Sequence, residues 1–367
     1  MIETDESLKE KLDGLDTPSS DGWGEYPLDT VFVRTEIRSV KEVMDRIRKN
    51  RYQLDPDFQR DFVWPQDKQS RLIESSLMRI PLPVFYVAED EEGKIIVVDG
   101  LQRLTTFYRY MDDKFSLKGL ESADTEKQIS GKKFSELPIK LQERIEDTQL
   151  TLYILDSKAP ERARLDIFDR VNSGVPLTRQ QMRNCLYSGK ATRWLKKAAT
   201  SKAFLEATGG SLQTKSMRDR EVINRFCAFH LLGYKNYRSD MESFLGNALT
   251  EMNKMSDEEL DEMESDFLKS MKLNQEIFKS HSFRKSMEMD NDYAGRTVIN
   301  VSLFDVFSVY FAHKSKIIDV NKDLTKELCL TLFDDHSFMN AITYSTSSSK
   351  QVRKRFDAIK DTLEVVG

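Results

Sequence analysis

Residues 94–111, KIIVVDGLQRLTTFYRYM, contain the pattern that best indicates the fold of the first half of the chain. Residues 95–98 are four consecutive β-branched residues, which predict a buried strand. Asp99 and Gly100 form a turn pair that ends this strand. From Leu101 to Met111 the apolar residues return at helical spacing. The stretch therefore predicts a strand that passes through a tight turn directly into a helix.

The candidate functional residues of this segment lie in and directly after the turn. Gly100 allows a sharp backbone turn and the close approach of a ligand, and the free N–H groups of a helix N-terminus favour an anion such as phosphate. Gln102 and Arg103 add donors, and Arg103 can grip phosphate oxygens in a bidentate way. Asp99 is placed to hold a metal or to orient a water. The alternative is that Asp99 only caps the helix and Gly100 only turns the chain.

The neighbouring segments alternate between helix and strand. A helix begins after Ser39 with an apolar stripe, and a second helix covers residues 66–78 before Pro81 and Pro83. Residues 82–90 and 94–100 predict a β-hairpin, and residues 149–155 a further strand. After Pro160 the pattern is almost wholly helical. We predict an acidic disordered tail over 1–28, an α+β domain over 29–157 and an α-helical domain over 158–367.

Composition excludes several classes. The 367 residues contain 56 Lys and Arg against 61 Asp and Glu, which gives a net charge of −5. No apolar run approaches the roughly 20 residues of a membrane helix, and the acidic N-terminus does not resemble a secretory signal. Three widely spaced cysteines are typical of reduced thiols. We expect a cytoplasmic protein with no membrane contact.

The charge is distributed unevenly along the chain. Residues 158–225 carry 15 basic and 6 acidic side chains, which suggests a site for an anionic partner such as DNA. The predicted DNA-binding residues are Lys190, Arg193, Lys196 and Lys197. The alternative is an amphipathic helix with Trp194 and Leu195 facing inward and a solvated basic face.

Two further clusters contain candidate phosphate ligands. Gln59 and Arg60 lie among aromatic residues, with Phe62 and Trp64 as core anchors in the alternative interpretation. Arg170 and Asn172 precede a flexible Ser-Gly turn and fit the lining of a polar cleft. A capped helix-loop-helix explains this second cluster equally well.

In their order, these segments resemble the N-terminal domain of GmrSD-type restriction enzymes, a family distantly similar to the ParB and sulfiredoxin nucleotide-binding fold. The resemblance covers roughly residues 30–235. It rests on FQRDFVW (58–64), QSRLIESSLMRIPLP (69–83), VVDGLQRLTTF (97–107), FDRVNSG (168–174) and LTRQQMRN (177–184).

The resemblance implies a ParB/sulfiredoxin-like α+β domain with a small mixed sheet, and a site for a nucleoside triphosphate with Mg²⁺. In the family an Asp-Gly-Gln-Gln-Arg motif binds and hydrolyses the nucleotide, commonly in anti-phage defence. Leu101 departs from that motif and puts hydrolysis in doubt. The implied catalytic residues are Asp99, Gln102 and Arg103, and the implied nucleotide-binding residues are Gln59, Arg60, Gly100, Arg103, Arg170 and Asn172.

Full-length family members usually add an HNH-type nuclease, which needs histidine and metal ligands. The four histidines of this chain are isolated in sequence, and we predict no metal site built by the protein alone. The expected partners are therefore a nucleotide, DNA and a nuclease supplied by another domain or protein. The alternatives are a non-catalytic DNA- or partner-binding module that keeps the fold, and a nuclease with an unrecognised carboxylate site.

Overall fold

The computed structural model forms two compact units, residues 21–186 and residues 1–20 with 187–367. We call them the α+β unit and the helical unit. The domain boundaries predicted at residues 28 and 157 stay predictions. The structure describes residues 12–13, 33–54, 64–89, 93–120, 129–156, 159, 167, 178–214, 216–287, 295–315, 319 and 321–364.

The α+β unit contains one mixed sheet. Its described elements are β1 (Val33–Ser39), α1 (Val40–Arg48), β2 (Tyr52–Gln53), α2 (Gln66–Leu77), β3 (Phe85–Glu89), β4 (Ile95–Asp99), α3 (Leu101–Met111), α4 (Ile139–Glu146), β5 (Gln149–Leu155) and α5 (Arg179–Leu186). The five strands lie in the order β1-β5-β3-β4-β2. The β1–β5 and β3–β4 pairs are antiparallel, and the β5–β3 and β4–β2 pairs are parallel.

The two faces of the sheet are both buried around β4. Phe85 and Val97 belong to the core formed with α1, α2 and α3. Ile96 and Val98 are also buried, and because strand side chains alternate they point to the opposite face. Helix α5 contacts β4. The β4–α3 junction therefore lies between helices on both sides.

The sequence-based elements of this unit are confirmed. The residues of α1 buried in the core are the predicted stripe of Val40, Val43, Met44 and Ile47, and Ser39 caps the helix by accepting a hydrogen bond from the Glu42 N–H. Strands β3 and β4 pair as the predicted hairpin. The predicted α+β class with a helical C-terminal part is also confirmed.

The helical unit surrounds one apolar core. Its described helices of seven or more residues are α6 (Lys190–Ala199), α7 (Lys202–Thr208), α8 (Arg218–Leu232), α9 (Met241–Lys254), α10 (Asp257–Phe278), α11 (Val301–His313), α12 (Lys322–Thr331), α13 (His336–Thr343) and α14 (Ser349–Leu363). None of the described helices is long and apolar enough to cross a membrane. Its two cysteines, Cys227 and Cys329, are buried and free, as is Cys185 in the α+β unit.

A charged triad lies inside this core. Arg225 of α8 donates two hydrogen bonds to Asp305 of α11, with Nε–Oδ1 and Nη2–Oδ2 distances of 2.9 and 2.6 Å. Arg355 of α14 donates to Asp305 Oδ2 at 2.9 Å and to the Thr346 carbonyl at 2.6 Å. Burial lowers the pKa of Arg355 to about 10, against the opposing charge of Asp305. Asp305 thus joins three helices through two arginines.

Two stacked histidines give the helical unit a pH dependence. The His230 ring lies between Phe226 and His313, with centroid distances of 5.1 and 4.5 Å. Burial lowers the pKa of His230 to about 4, and the nearby His313 adds to this shift. The unfolded chain therefore binds more protons between pH 6.5 and 4, so stability is fully present above pH 6.5 and is lost as the pH falls.

We expect the free energy of unfolding to fall by about 2 kcal/mol across this window through His230 alone, allowing for the exposed part of the ring. His230→Phe keeps an aromatic ring in the stack and removes the titration. Urea denaturation at pH 6.5 and 4.5 compares the two proteins. An equal fall in stability for wild type and variant would show that His230 contributes nothing to it.

Candidate functional site

Gly100 connects β4 to α3 in a conformation that only glycine adopts freely. Its φ is +97°, and a Cβ at this position would lie 2.8 Å from Phe85 Cε1 and closer still to Cδ1. Gly100 is itself the N-cap residue, and within the described residues no side chain caps α3. The interpretation of Asp99 as a simple helix cap is therefore wrong, because the cap position belongs to the residue after it.

Arg103 is held within the protein. Its Nη1 donates to the Pro83 carbonyl, and its Nη2 donates to the Val84 carbonyl at 3.1 Å and to Asp99 Oδ2 at 2.9 Å. The guanidinium carbon lies 4.2 Å from the Phe85 ring centroid. Burial lowers the pKa of Arg103, and Asp99 opposes that shift. Arg103 therefore fixes the later part of the connection between α2 and β3, residues 80–84, to the start of α3. We call these residues the 80–84 segment.

Asp99 lies at the C-terminal end of β4, opposite Tyr86 in the sheet register. Arg103 binds its Oδ2, and Oδ1 has no hydrogen-bond partner in the described part of the chain. The Asp99 side chain is 40 % exposed. It is therefore a carboxylate of fixed orientation with one oxygen available to a ligand.

The next two residues of the motif face different surroundings. Leu101 is 7 % exposed and belongs to the core of the α+β unit. Gln102 is half-buried, and its carbonyl accepts a 2.7 Å hydrogen bond from the Thr106 hydroxyl. An apolar residue at position 101 is thus accommodated as core packing, and Gln102 keeps part of its surface exposed to solvent.

Helix α5, which contacts β4, carries a buried polar face that the site prediction missed. Gln180, Arg183 and Asn184 are at most 1 % exposed. Arg183 Nη1 donates to Gln180 Oε1, and Gln180 Nε2 donates to Asn184 Oδ1 at 2.8 Å. The signal in the sequence was the i, i+3, i+4 spacing of these residues, opposite the apolar Met182 and Leu186.

Four predicted nucleotide-binding residues, Gln59, Arg60, Arg170 and Asn172, lie outside the described residues. Their convergence on the turn stays a prediction. The structure does bring together Asp99, Gly100, Gln102 and Arg103, at the junction of β4 and α3.

The predicted DNA-binding helix α6 faces an acidic neighbour. Lys190 Nζ is 2.8 Å from Asp257 of α10, and Lys197 Nζ is 2.6 Å from Glu264 of the same helix. Arg193 and Lys196 are exposed. Trp194 and Leu195 face inward, as the amphipathic interpretation requires. Two of the four cations are neutralised within the protein, so fewer positive charges on α6 are available to DNA than the sequence suggested. DNA binding by α6 stays a prediction.

Metal ligands are sparse at the turn. The described residues contain no group of three or more His, Cys, Asp or Glu side chains able to hold a metal ion. Mg²⁺ bound with a nucleotide needs only one or two protein carboxylates, because the phosphates supply further ligands. The single available oxygen of Asp99 fits that requirement.

Part of the chain matches a known protein family. No curated protein matches the chain. Residues 40–188, about two fifths of the chain, match the model of the family described as GmrSD restriction endonuclease, N-terminal domain. The matched range runs from the start of α1 past α5 and includes the Asp99–Arg103 turn. The match supports a restriction- or defence-related, DNA-directed function. It confirms the resemblance carried by the sequence motifs: over residues 40–188 the chain is similar to the N-terminal domain of GmrSD restriction endonucleases.

Proposed function

We propose that the chain binds a nucleoside triphosphate at the Asp99–Arg103 turn and uses it to gate a DNA nuclease supplied by another domain or protein. The observation that supports this most directly is the pairing of a partly exposed Asp99 carboxylate with a helix start that no described side chain caps. A positive helix end and an oriented carboxylate are the two features that a magnesium–phosphate group needs.

The proposed roles of these residues differ from those assigned from the sequence. The first-turn N–H groups of α3 and the helix dipole would bind the phosphates. Arg103 acts as a positioning residue, because its donors already hold Asp99 and the 80–84 segment. Asp99 would hold Mg²⁺, which neutralises phosphate charge when bound. Gln102 is the remaining polar side chain of the motif for orienting a water.

A non-catalytic DNA- or partner-binding module is the second candidate. The observation that favours it is Leu101, which fills the core at the position of the first glutamine of the family motif. A chain of this kind would bind nucleotide or DNA and release no phosphate.

Calorimetry with ATP, GTP and CTP in the presence of Mg²⁺ tests the proposal. We expect micromolar binding of one nucleotide by the wild type. Asp99→Asn keeps the shape of the side chain and removes its charge, so we expect binding to weaken about tenfold or more and to lose its dependence on Mg²⁺. Asp45→Asn removes an exposed carboxylate on α1 in the same unit and serves as the matched control.

The outcomes separate the two candidates. Binding with phosphate release identifies a nucleotidase, and binding without release identifies the non-catalytic module. Failure of the folded wild type to bind any of the three nucleotides contradicts the proposed site. Equal nucleotide binding by the wild type and Asp99→Asn contradicts only the proposed role of Asp99, and not the nucleotide site as a whole.

A further inference from the structure

A cleft of about 570 Å³ lies in the α+β unit, between the C-terminal end of α2 and helix α4. The start of β5 and the first residues of the 80–84 segment complete its wall. Small-molecule sites typically have volumes of about 300–1,000 Å³. The cleft is thus large enough for one nucleotide unit.

Two cationic side chains of the cleft have no partner within the described part of the chain. Arg79, just beyond the end of α2, and Lys140 of α4 are exposed and make no hydrogen bond or ion pair through their side chains with the rest of the described chain. A third cation, Arg144, donates from Nη1 to the Leu77 carbonyl at 3.1 Å. By contrast, nearby Lys41 is paired with Glu146 at 3.0 Å. Arg79 and Lys140 are therefore available to an anionic ligand.

Carboxylates in the same cleft limit what that anion can be. Glu143 and Asp147 line it together with the three cations, which leaves a net charge of one positive unit. A free nucleoside triphosphate carries several negative charges on adjacent groups and would be repelled by these carboxylates. A phosphodiester carries a single negative charge per nucleotide. The charge of the cleft therefore matches a nucleotide within a strand better than a free triphosphate.

The wall of the cleft also offers an apolar surface. Ile80 is 46 % exposed and is followed by Pro81 and Leu82, which line the cleft with it. A nucleobase presents an apolar face and amino donors at its edge. Carboxylates accept hydrogen bonds from such amino groups. The cleft combines a cationic group, an apolar wall and acceptors, which are the three contacts that an unstacked nucleotide makes.

We infer that this cleft binds one unstacked nucleotide of DNA, with its phosphate at Arg79 and Lys140 and its base against Ile80–Leu82. The inference rests on the DNA-directed part of the proposed function and assigns it a second site, separate from the Asp99–Arg103 turn. Taking a nucleotide out of a duplex costs free energy, and the cost is smallest for a base that is already unpaired. The protein therefore prefers DNA that contains an unpaired nucleotide.

Fluorescence anisotropy with two short labelled duplexes tests this inference. One duplex is fully paired, and the other carries a single unpaired nucleotide. We expect the wild type to bind the second about tenfold more tightly. In Arg79→Gln/Lys140→Gln this preference disappears, and the log–log dependence of affinity on salt becomes shallower by about 0.9 per lost phosphate contact. Circular dichroism confirms that the variant is folded.

The matched control is Arg46→Gln/Arg48→Gln, which also removes two positive charges but from α1 of the same unit, where both are ion-paired. We expect it to keep the preference. A wild type that binds both duplexes equally, or a cleft variant that keeps the preference, overturns the inference and leaves the proposed function intact. A wild type that binds neither duplex overturns both the inference and the DNA-directed function, independently of the nucleotide calorimetry.

Discussion

Replacement of Asp305 by alanine is expected to lower the free energy of unfolding of the helical unit by about 3–5 kcal/mol. Asp305 is fully buried and is the carboxylate partner of both Arg225 and Arg355. Its removal leaves two guanidinium groups facing each other in the core. The loss therefore comes less from the broken hydrogen bonds than from two uncompensated buried charges.

Urea denaturation of Asp305→Ala measures this loss, and Asp334→Ala, which removes an exposed carboxylate, provides the control. A triple variant, Arg225→Met/Asp305→Leu/Arg355→Met, replaces the triad with apolar side chains and should recover most of the lost stability. A loss below about 1 kcal/mol in Asp305→Ala would mean that water enters the core and solvates the arginines.

Gly100→Ala is expected to destabilise the α+β unit by about 2–4 kcal/mol and to abolish nucleotide binding. The substitution combines a strained backbone with a steric clash, because the new methyl group overlaps the Phe85 ring. Phe85 also packs against the Arg103 guanidinium. A shifted ring therefore displaces Arg103 and with it Asp99.

Gly131→Ala is the matched control for this experiment. Gly131 also has a positive φ of +78°, but a Cβ there would meet no atom within 4 Å. Its substitution should cost only the backbone strain, about 1 kcal/mol, and leave nucleotide binding unchanged. Denaturation and calorimetry on both variants separate strain from clash. Equal losses in the two variants would show that the contact with Phe85 does not matter.

The sequence predicted the elements whose signals are local. The stripe of α1, the β4–α3 junction and the inward position of Trp194 all follow from periodicity and turn chemistry within a few residues. The α+β class followed from their order. These features are fixed by short-range patterns, and packing did not override them.

Features that depend on distant partners were not predictable in this way. Arg103 has the residue type and position of a phosphate ligand, and only the fold shows that its donors hold Pro83 and Val84. The pairing of Arg225 with Asp305 joins positions 80 residues apart. The basic residues predicted on one face of α6 are present there, but two of its lysines pair with acids of α10, which the sequence did not indicate.

The 80–84 segment has one further consequence. Its first residues form the wall of the cleft, and the carbonyls of its last two residues are held by Arg103. If the two proposed sites are both occupied, a ligand that moves the wall would change the hydrogen bonds that orient Asp99, and a ligand at Asp99 would restrain the wall. Thermodynamic linkage makes this relation symmetrical: whatever factor DNA in the cleft applies to nucleotide affinity, the nucleotide applies to DNA affinity. The 80–84 segment would thus couple the two proposed binding events.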